Sequence, residues 1–105
     1  MNARQFDVFS NPYPDSVSSH PYFIVLQVDA LAHLNTRLVA PLIAPKHLPL
    51  FDRLMPEVTV EGSPYVIDVT NIGAIPTRIL QKPVANLAAE RYRLIGALDL
   101  VFTGI

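Results

Sequence analysis

The sequence predicts a mainly β fold that ends in a single α-helix. Ten prolines are spread over positions 12–83 of the 105 residues, and they divide this region into pieces too short for ordinary helices. From Asn86 onward there is no proline, and the apolar residues recur with the 3.6-residue period of a helix. Several short strands followed by one helix account for both halves of the pattern.

The composition predicts a folded protein that binds protein rather than nucleic acid. Hydrophobic residues make up 50% of the chain and charged residues 16%, so the chain is too apolar for a disordered protein, and we expect one domain over residues 1–105. Part of the apolar surface is expected to form a homodimer interface. The net charge of -1 and the lack of a basic run argue against a nucleic-acid partner.

The sequence contains no cysteine, which excludes disulfides, thiolate metal sites and cysteine nucleophiles. No run approaches the ~18 apolar residues of a membrane span, and the first residues carry charge where a signal peptide has its apolar core. We therefore expect a cytoplasmic protein with no membrane partner.

Three strands are predicted in the first half of the chain. Gln5–Phe9 alternates between polar and apolar residues. Tyr22–Val28 is apolar on both faces, which predicts a central strand. Thr36–Leu42 contains Pro41, which predicts an edge position or a bulge. The predicted connections are Asn11–Pro21 and Leu31–Asn35.

The following region predicts a β-hairpin and one more strand. Glu57–Val60 and Tyr65–Thr70 flank the Gly-containing loop Glu61–Pro64, a pattern typical of a hairpin. Ile75–Leu80 predicts a further short strand, and Leu48–Met55 predicts one helical turn.

The C-terminal helix is predicted over about 86–103, with Asn86 as its N-cap. Leu94 and Leu98 belong to its apolar stripe. Gly96 costs roughly 1 kcal/mol relative to alanine in a helix, so we expect a compensating close approach by another backbone, such as a partner helix across a twofold axis. The apolar chain end is expected to hold a defined position instead of fraying.

Five segments resemble, in the same order and with similar spacing, segments of the CcdB family of toxins from bacterial toxin–antitoxin pairs. They are Gln5–Val8, Val25–Asp29, Arg37–Leu42, Ile75–Pro76 and Leu100–Ile105. The last of these resembles the family's closing Leu-Met-Phe-Trp-Gly-Ile. The resemblance implies an SH3-like antiparallel barrel of the CcdB/MazF type with a C-terminal helix, and a homodimer.

The resemblance also implies a function without catalysis, cofactor or metal. Members of the family bind the DNA gyrase A subunit and trap the cleaved gyrase–DNA complex. A cognate antitoxin with a disordered C-terminal segment neutralises them. The gyrase contacts implied for this chain are Ala30, Leu31, Asp99, Phe102, Thr103, Gly104 and Ile105.

The implied contacts make physical sense as a binding device, with one departure from the family. Gly104 would let a partner approach the backbone, and Ile105 would supply an apolar plug and a carboxylate. Thr103 replaces a tryptophan that stacks on an arginine of the target in the family pattern. The loss of such a contact is worth roughly 0.5–2 kcal/mol.

Alternative interpretations of the same residues remain open. Gly104 is also the residue type that ends an ordinary helix in the left-handed conformation, with Ile105 folded back on the helix. Arg37 and Arg78 either bind carbonyls or carboxylates at strand ends or cut RNA, as arginines do in related MazF-type toxins. A relative that has lost toxicity and only binds antitoxin is the third possibility. The histidines, at positions 20, 33 and 47, are irregularly spaced in predicted loops, which argues against a metal site or a general base.

Overall fold

The computed structural model describes residues 3–45 and 54–104, and it confirms a mainly β fold with a C-terminal α-helix. The strands are β1 (Asp7–Ser10), β2 (Tyr22–Val25), β3 (Thr36–Ile43), β4 (Glu57–Val60), β5 (Ser63–Ile67), β6 (Gly73–Pro76) and β7 (Ala85–Asn86), and the helix is α1 (Arg91–Thr103). Short 3₁₀ turns cover Asp29–Leu31, Thr77–Ile79 and Ala88–Glu90.

The strands form one antiparallel sheet that curls into a nearly closed barrel. Its order is β4-β5-β3-β2-β1-β7, and β6 pairs with β3 beside β5. The barrel is incomplete between the terminal strands β4 and β7. There the Arg93 side chain donates a hydrogen bond to the Glu57 carbonyl at 2.7 Å, so a backbone acceptor of the open strand is satisfied from the helix.

Two hydrophobic clusters cover the two faces of the central strands. The first fills the barrel and includes Val8, Ile24 and Leu42, together with Leu94 and Ala97 of α1. The second lies on the opposite face of β1–β3 and β6, and its members are Ala3, Phe9, Val25, Val39, Ile75 and Leu80. Because β2 contributes to both clusters, the prediction that it is a central strand is confirmed.

Pro41 lies in the middle of the sheet, so the edge position, one of the two alternatives predicted for it beside a bulge, is wrong. On the side of β3 away from β2, β6 pairs with Thr36–Val39 and β5 pairs with Leu42 and Ile43. The Pro41 carbonyl accepts the Asp68 N–H at 2.9 Å on that side. The N–H and C=O of a strand residue point to the same side of the strand. The N–H that Pro41 lacks would therefore point to the place where β6 ends and β5 begins, so its absence breaks no pairing with either strand.

The predicted hairpin is confirmed, with a tighter turn than expected. Val60 pairs with Ser63, which leaves a loop of only Glu61 and Gly62. Their φ angles of 50° and 82° are both positive, as the two central residues of a type I′ turn require. β5 therefore begins at Ser63, two residues before the predicted start at Tyr65.

Other predicted strands occur with different bounds. β1 begins at Asp7 rather than Gln5, because the Asp7 carboxylate accepts the Arg4 N–H at 2.9 Å and holds a turn before the strand. β2 ends at Val25, three residues earlier than predicted, and β6 gives way to a 3₁₀ turn after Pro76. Most of the predicted helical turn at 48–55 lies outside the described residues.

The C-terminal helix begins at Arg91, so the predicted start at Asn86 is wrong. Asn86 belongs to β7, where it pairs with Asp7. Its side chain donates to the Asp7 carboxylate and accepts the Ala88 N–H, both at 2.9 Å. The Asn86 side chain does cap a turn, but this turn is the 3₁₀ segment that precedes α1. No helix of the described residues is long and apolar enough to span a membrane.

Replacing Leu94 with alanine tests the contribution of the helix to the barrel core. Leu94 is 1% exposed, so Leu94→Ala is expected to lower the free energy of unfolding by about 2–5 kcal/mol. Tyr92, in the same helix, is 90% exposed, and Tyr92→Ala should change the free energy of unfolding by less than about 0.5 kcal/mol. Denaturant titration measures both, and equal effects would contradict this placement of α1.

Candidate functional site

The C-terminal end of α1 is closed by a glycine cap. Gly104 has φ 77° and ψ 9°, which is the left-handed conformation, and its N–H donates to the Leu100 carbonyl at 3.0 Å. The alternative interpretation of Gly104 as a helix-ending residue in the left-handed conformation is confirmed, whereas the contact expected of Ile105 lies outside the described residues. The cap satisfies one of the terminal carbonyls of the helix, which helps the last turn to hold its shape.

The last turn of α1 packs on one side and is exposed on the other. Leu98 and Val101 pack against the barrel core. Phe102 is 73% exposed, and Thr103 and Gly104 are also exposed. The helix therefore presents a large aromatic side chain to solvent from an anchored position, which is typical of a protein-binding surface.

The exposed residues Asp99, Phe102, Thr103 and Gly104 are called the helix tip below. The Thr103 hydroxyl donates to the Asp99 carbonyl at 2.7 Å, a bond within the helix that helps to fix the Thr103 rotamer. The structure thus brings together four of the predicted contact residues. Ile105, the fifth in this segment, lies outside the described residues.

The other two predicted contact residues lie in a separate element. Ala30 and Leu31 are exposed in the 3₁₀ turn that follows β2. The Asp29 carboxylate holds this turn by accepting the Gln5 N–H at 2.7 Å. Within the described part of the chain, the turn and α1 do not pack extensively against each other. The predicted site therefore draws on two elements of the chain, the 3₁₀ turn and the C-terminal end of α1.

Arg37 has a structural environment that its position in the sequence does not indicate. It is 3% exposed, and its guanidinium donates to the carbonyls of Ala3, Ala32, Leu34 and Thr36. The carbonyl-binding alternative is therefore the one that the structure supports for Arg37. Arg78, the other arginine of the ribonuclease alternative, is exposed in the 3₁₀ turn after β6.

The remaining titratable groups do not assemble a metal site in residues 3–45 and 54–104. His20 Nδ1 lies 2.7 Å from the Ser19 hydroxyl in the exposed loop after β1, and His47 is outside the described residues.

Tyr22 packs edge-to-face on Tyr65, with ring centres 5.3 Å apart. Burial, and then the nearby charge of Glu61, raises the pKa of Tyr22 above its usual 10.0, so its hydroxyl stays protonated.

The barrel and its C-terminal helix define a fold class that includes known toxins. The Mycobacterium tuberculosis toxin MazF-mt6 matches 94% of this chain over 96% of its own, with a TM-score of 0.69 and 19% identity. At that identity the similarity shows the fold alone. A comparison with curated proteins gave no match.

The CcdB protein family model matches residues 5–104. The chain belongs to the CcdB family, whose members are toxins of the toxin–antitoxin type. The match spans both the barrel and the helix tip, and membership implies an antitoxin partner.

The glycine cap predicts a local effect of alanine at position 104. Gly104→Ala forces a Cβ into the left-handed region and should destabilise the last turn by about 1 kcal/mol, so its amides should exchange several-fold faster. Gly73 is the control, because a Cβ there also meets open space and its φ is not positive. Equal exchange in α1 for Gly104→Ala and wild type would contradict the role of the cap.

Proposed function

We propose that this chain is a toxin that binds the DNA gyrase A subunit through the helix tip and Ile105, and traps the cleaved gyrase–DNA complex. Ala30 and Leu31 contribute a second contact surface. The chain makes and breaks no covalent bond in this mechanism. The observation that carries the proposal is the exposed aromatic side chain of Phe102 at the end of an anchored helix.

The chemistry of the helix tip suits recognition of a protein surface. Phe102 offers apolar area for a pocket of the partner, and aromatic anchors of this kind dominate binding energies. Gly104 carries no side chain, so a partner can approach its backbone closely. Thr103 supplies neither the apolar area nor the stacking surface of the family's tryptophan. The affinity of this chain for gyrase is therefore expected to be about tenfold lower than that of a family member with tryptophan at this position.

A homodimer is the second part of the proposal. Gly96 is exposed on α1, and apart from its two chain neighbours and the nearby backbone of the helix itself, no atom of the described residues lies within 4 Å of where its Cβ would stand. This stretch of the helix is therefore open to the close approach of a second helix. Two copies related by a twofold axis would present two helix tips to a symmetric target, with avidity when both engage.

The antitoxin of the proposal is a cognate protein with a disordered C-terminal segment. Such a segment binds by ordering on the toxin surface, and neutralisation requires that it compete with gyrase or detach the toxin from it. This role accords with the family to which the chain belongs.

A ribonuclease activity is the rival proposal, and it rests on the shared fold with a MazF-type toxin. Arg37 would have to leave four carbonyl acceptors to reach a phosphate. Arg78 remains exposed, so its replacement by alanine is the sharper test of RNA cleavage. Harmless expression together with tight antitoxin binding would instead favour a relative that has lost toxicity.

Removing the helix tip should separate toxicity from folding. Deletion of Gly104 and Ile105, or Phe102→Ala, is expected to abolish growth inhibition and gyrase A pull-down while circular dichroism and the free energy of unfolding stay close to wild type. Tyr13→Ala is the control, because it removes an exposed aromatic ring from a different part of the molecule. Undiminished toxicity of both tip variants would refute the proposed site.

Replacing Gly96 with leucine should block dimerisation without unfolding the protomer. Leucine is a good helix former and meets open space in the protomer, but it would keep a partner helix away. Sedimentation equilibrium should therefore show a shift from dimer to monomer. A dimer as tight as that of the wild type would place the interface elsewhere.

A further inference from the structure

The guanidinium of Arg37 binds the backbone carbonyls of the connection between the 3₁₀ turn at 29–31 and β3. Its Nη1 donates to the carbonyls of Leu34 and Thr36 at 2.7 and 2.9 Å, its Nη2 donates to the Ala32 carbonyl, and its Nε donates to the Ala3 carbonyl at 3.3 Å. Three of the four acceptors belong to residues 32–36, between the 3₁₀ turn and the body of β3. One buried side chain therefore fixes the course of this connection.

The charge of Arg37 is balanced by carbonyl dipoles rather than by a carboxylate. In the described part of the chain the salt bridge joins Arg93 and Glu90, and Arg37 takes no part in it. Burial of a cation needs several acceptors in fixed positions, and a planar guanidinium can bond in several directions at once. A lysine or a neutral side chain cannot reproduce this set of bonds.

The connection so fixed displays apolar side chains instead of burying them. Val28 is 50% exposed, and Leu31 and Leu34 are each 41% exposed. Asp29 is the second tether, through its bond to the Gln5 N–H. The backbone of this connection is thus held by the buried Arg37 and by the exposed Asp29, while its apolar side chains face solvent.

We propose that Arg37 is a positioning residue for target binding: it holds the backbone around Ala32 and Leu34 so that Leu31 is presented in a fixed place to the gyrase A subunit. Arg37 touches no partner and acts through Leu31. This inference rests on the proposed function, and it adds a buried residue that makes no contact with the target itself. Presenting an ordered side chain lowers the entropy lost on binding.

Double-mutant binding measurements test whether Arg37 acts through Leu31. Arg37→Gln and Leu31→Ala should each weaken binding of the gyrase A subunit by about tenfold, and the double variant should be little weaker than either single variant. Arg37→Lys should recover part of the loss, and Arg78→Gln, a change at an exposed arginine, should have no effect. Fully additive losses would overturn the inference.

Amide exchange in the free protein provides a second readout that does not depend on gyrase. Arg37→Gln should speed the exchange of amides at 31–34 while those of β1 and β2 keep their protection. If Arg37→Gln does not fold, Arg37→Lys and Asp29→Asn carry the same comparison. Unchanged exchange at 31–34, or faster exchange throughout the barrel, would overturn the inference. Failure of the wild type to bind gyrase would instead refute the proposed function, and the exchange result would still decide whether Arg37 orders the connection.

Discussion

The packing of α1 into the barrel is the constraint on which the structure depends. Leu94 and Ala97 are each 1% exposed within the main core, and Leu98 and Val101 continue the contact toward the C-terminus. This burial ends one residue before Phe102. The helix is therefore long enough to be anchored through its first three turns and to carry its last residues beyond the core, where a glycine cap replaces tertiary support.

The 3₁₀ turn that contains Ala30 and Leu31 resembles the helix tip in one respect, because it also exposes apolar side chains from a backbone that hydrogen bonds hold in place. The 3₁₀ turn with Ala30 and Leu31 buries none of its residues, and hydrogen bonds fix its position: the Asp29 carboxylate accepts the Gln5 N–H, and Arg37 donates to carbonyls of the connection that follows the turn. In both places hydrogen bonds to the backbone leave apolar side chains free to meet a partner. The fold thus stabilises two exposed surfaces that hydrophobic packing alone would have buried.

Local patterns predicted much of the fold and the conformation of the glycine that ends α1. The β4–β5 hairpin follows from alternation and from a glycine at the turn, and the left-handed cap follows from Gly104 near the end of an apolar helix. The start of α1 was not predictable in this way, because Asn86 is equally suited to cap a helix or to pair with Asp7. The choice depends on a strand about 80 residues away in sequence.

Tertiary structure also explains why Pro41 and Arg37 were not placed from the sequence. Pro41 is tolerated inside the sheet because two different strands meet beside it, and Arg37 is buried because four carbonyls converge on it. Three of these carbonyls are close to Arg37 in sequence, but only the folded backbone turns them toward its guanidinium together with the distant Ala3 carbonyl. The most direct test of the central claim is a photo-crosslinking amino acid at position 102 in the intact protein, mixed with the gyrase A subunit. If the helix tip binds gyrase, the probe at position 102 should form a crosslink and the same probe at position 13 should form none. A crosslink from position 13 alone would contradict the claim.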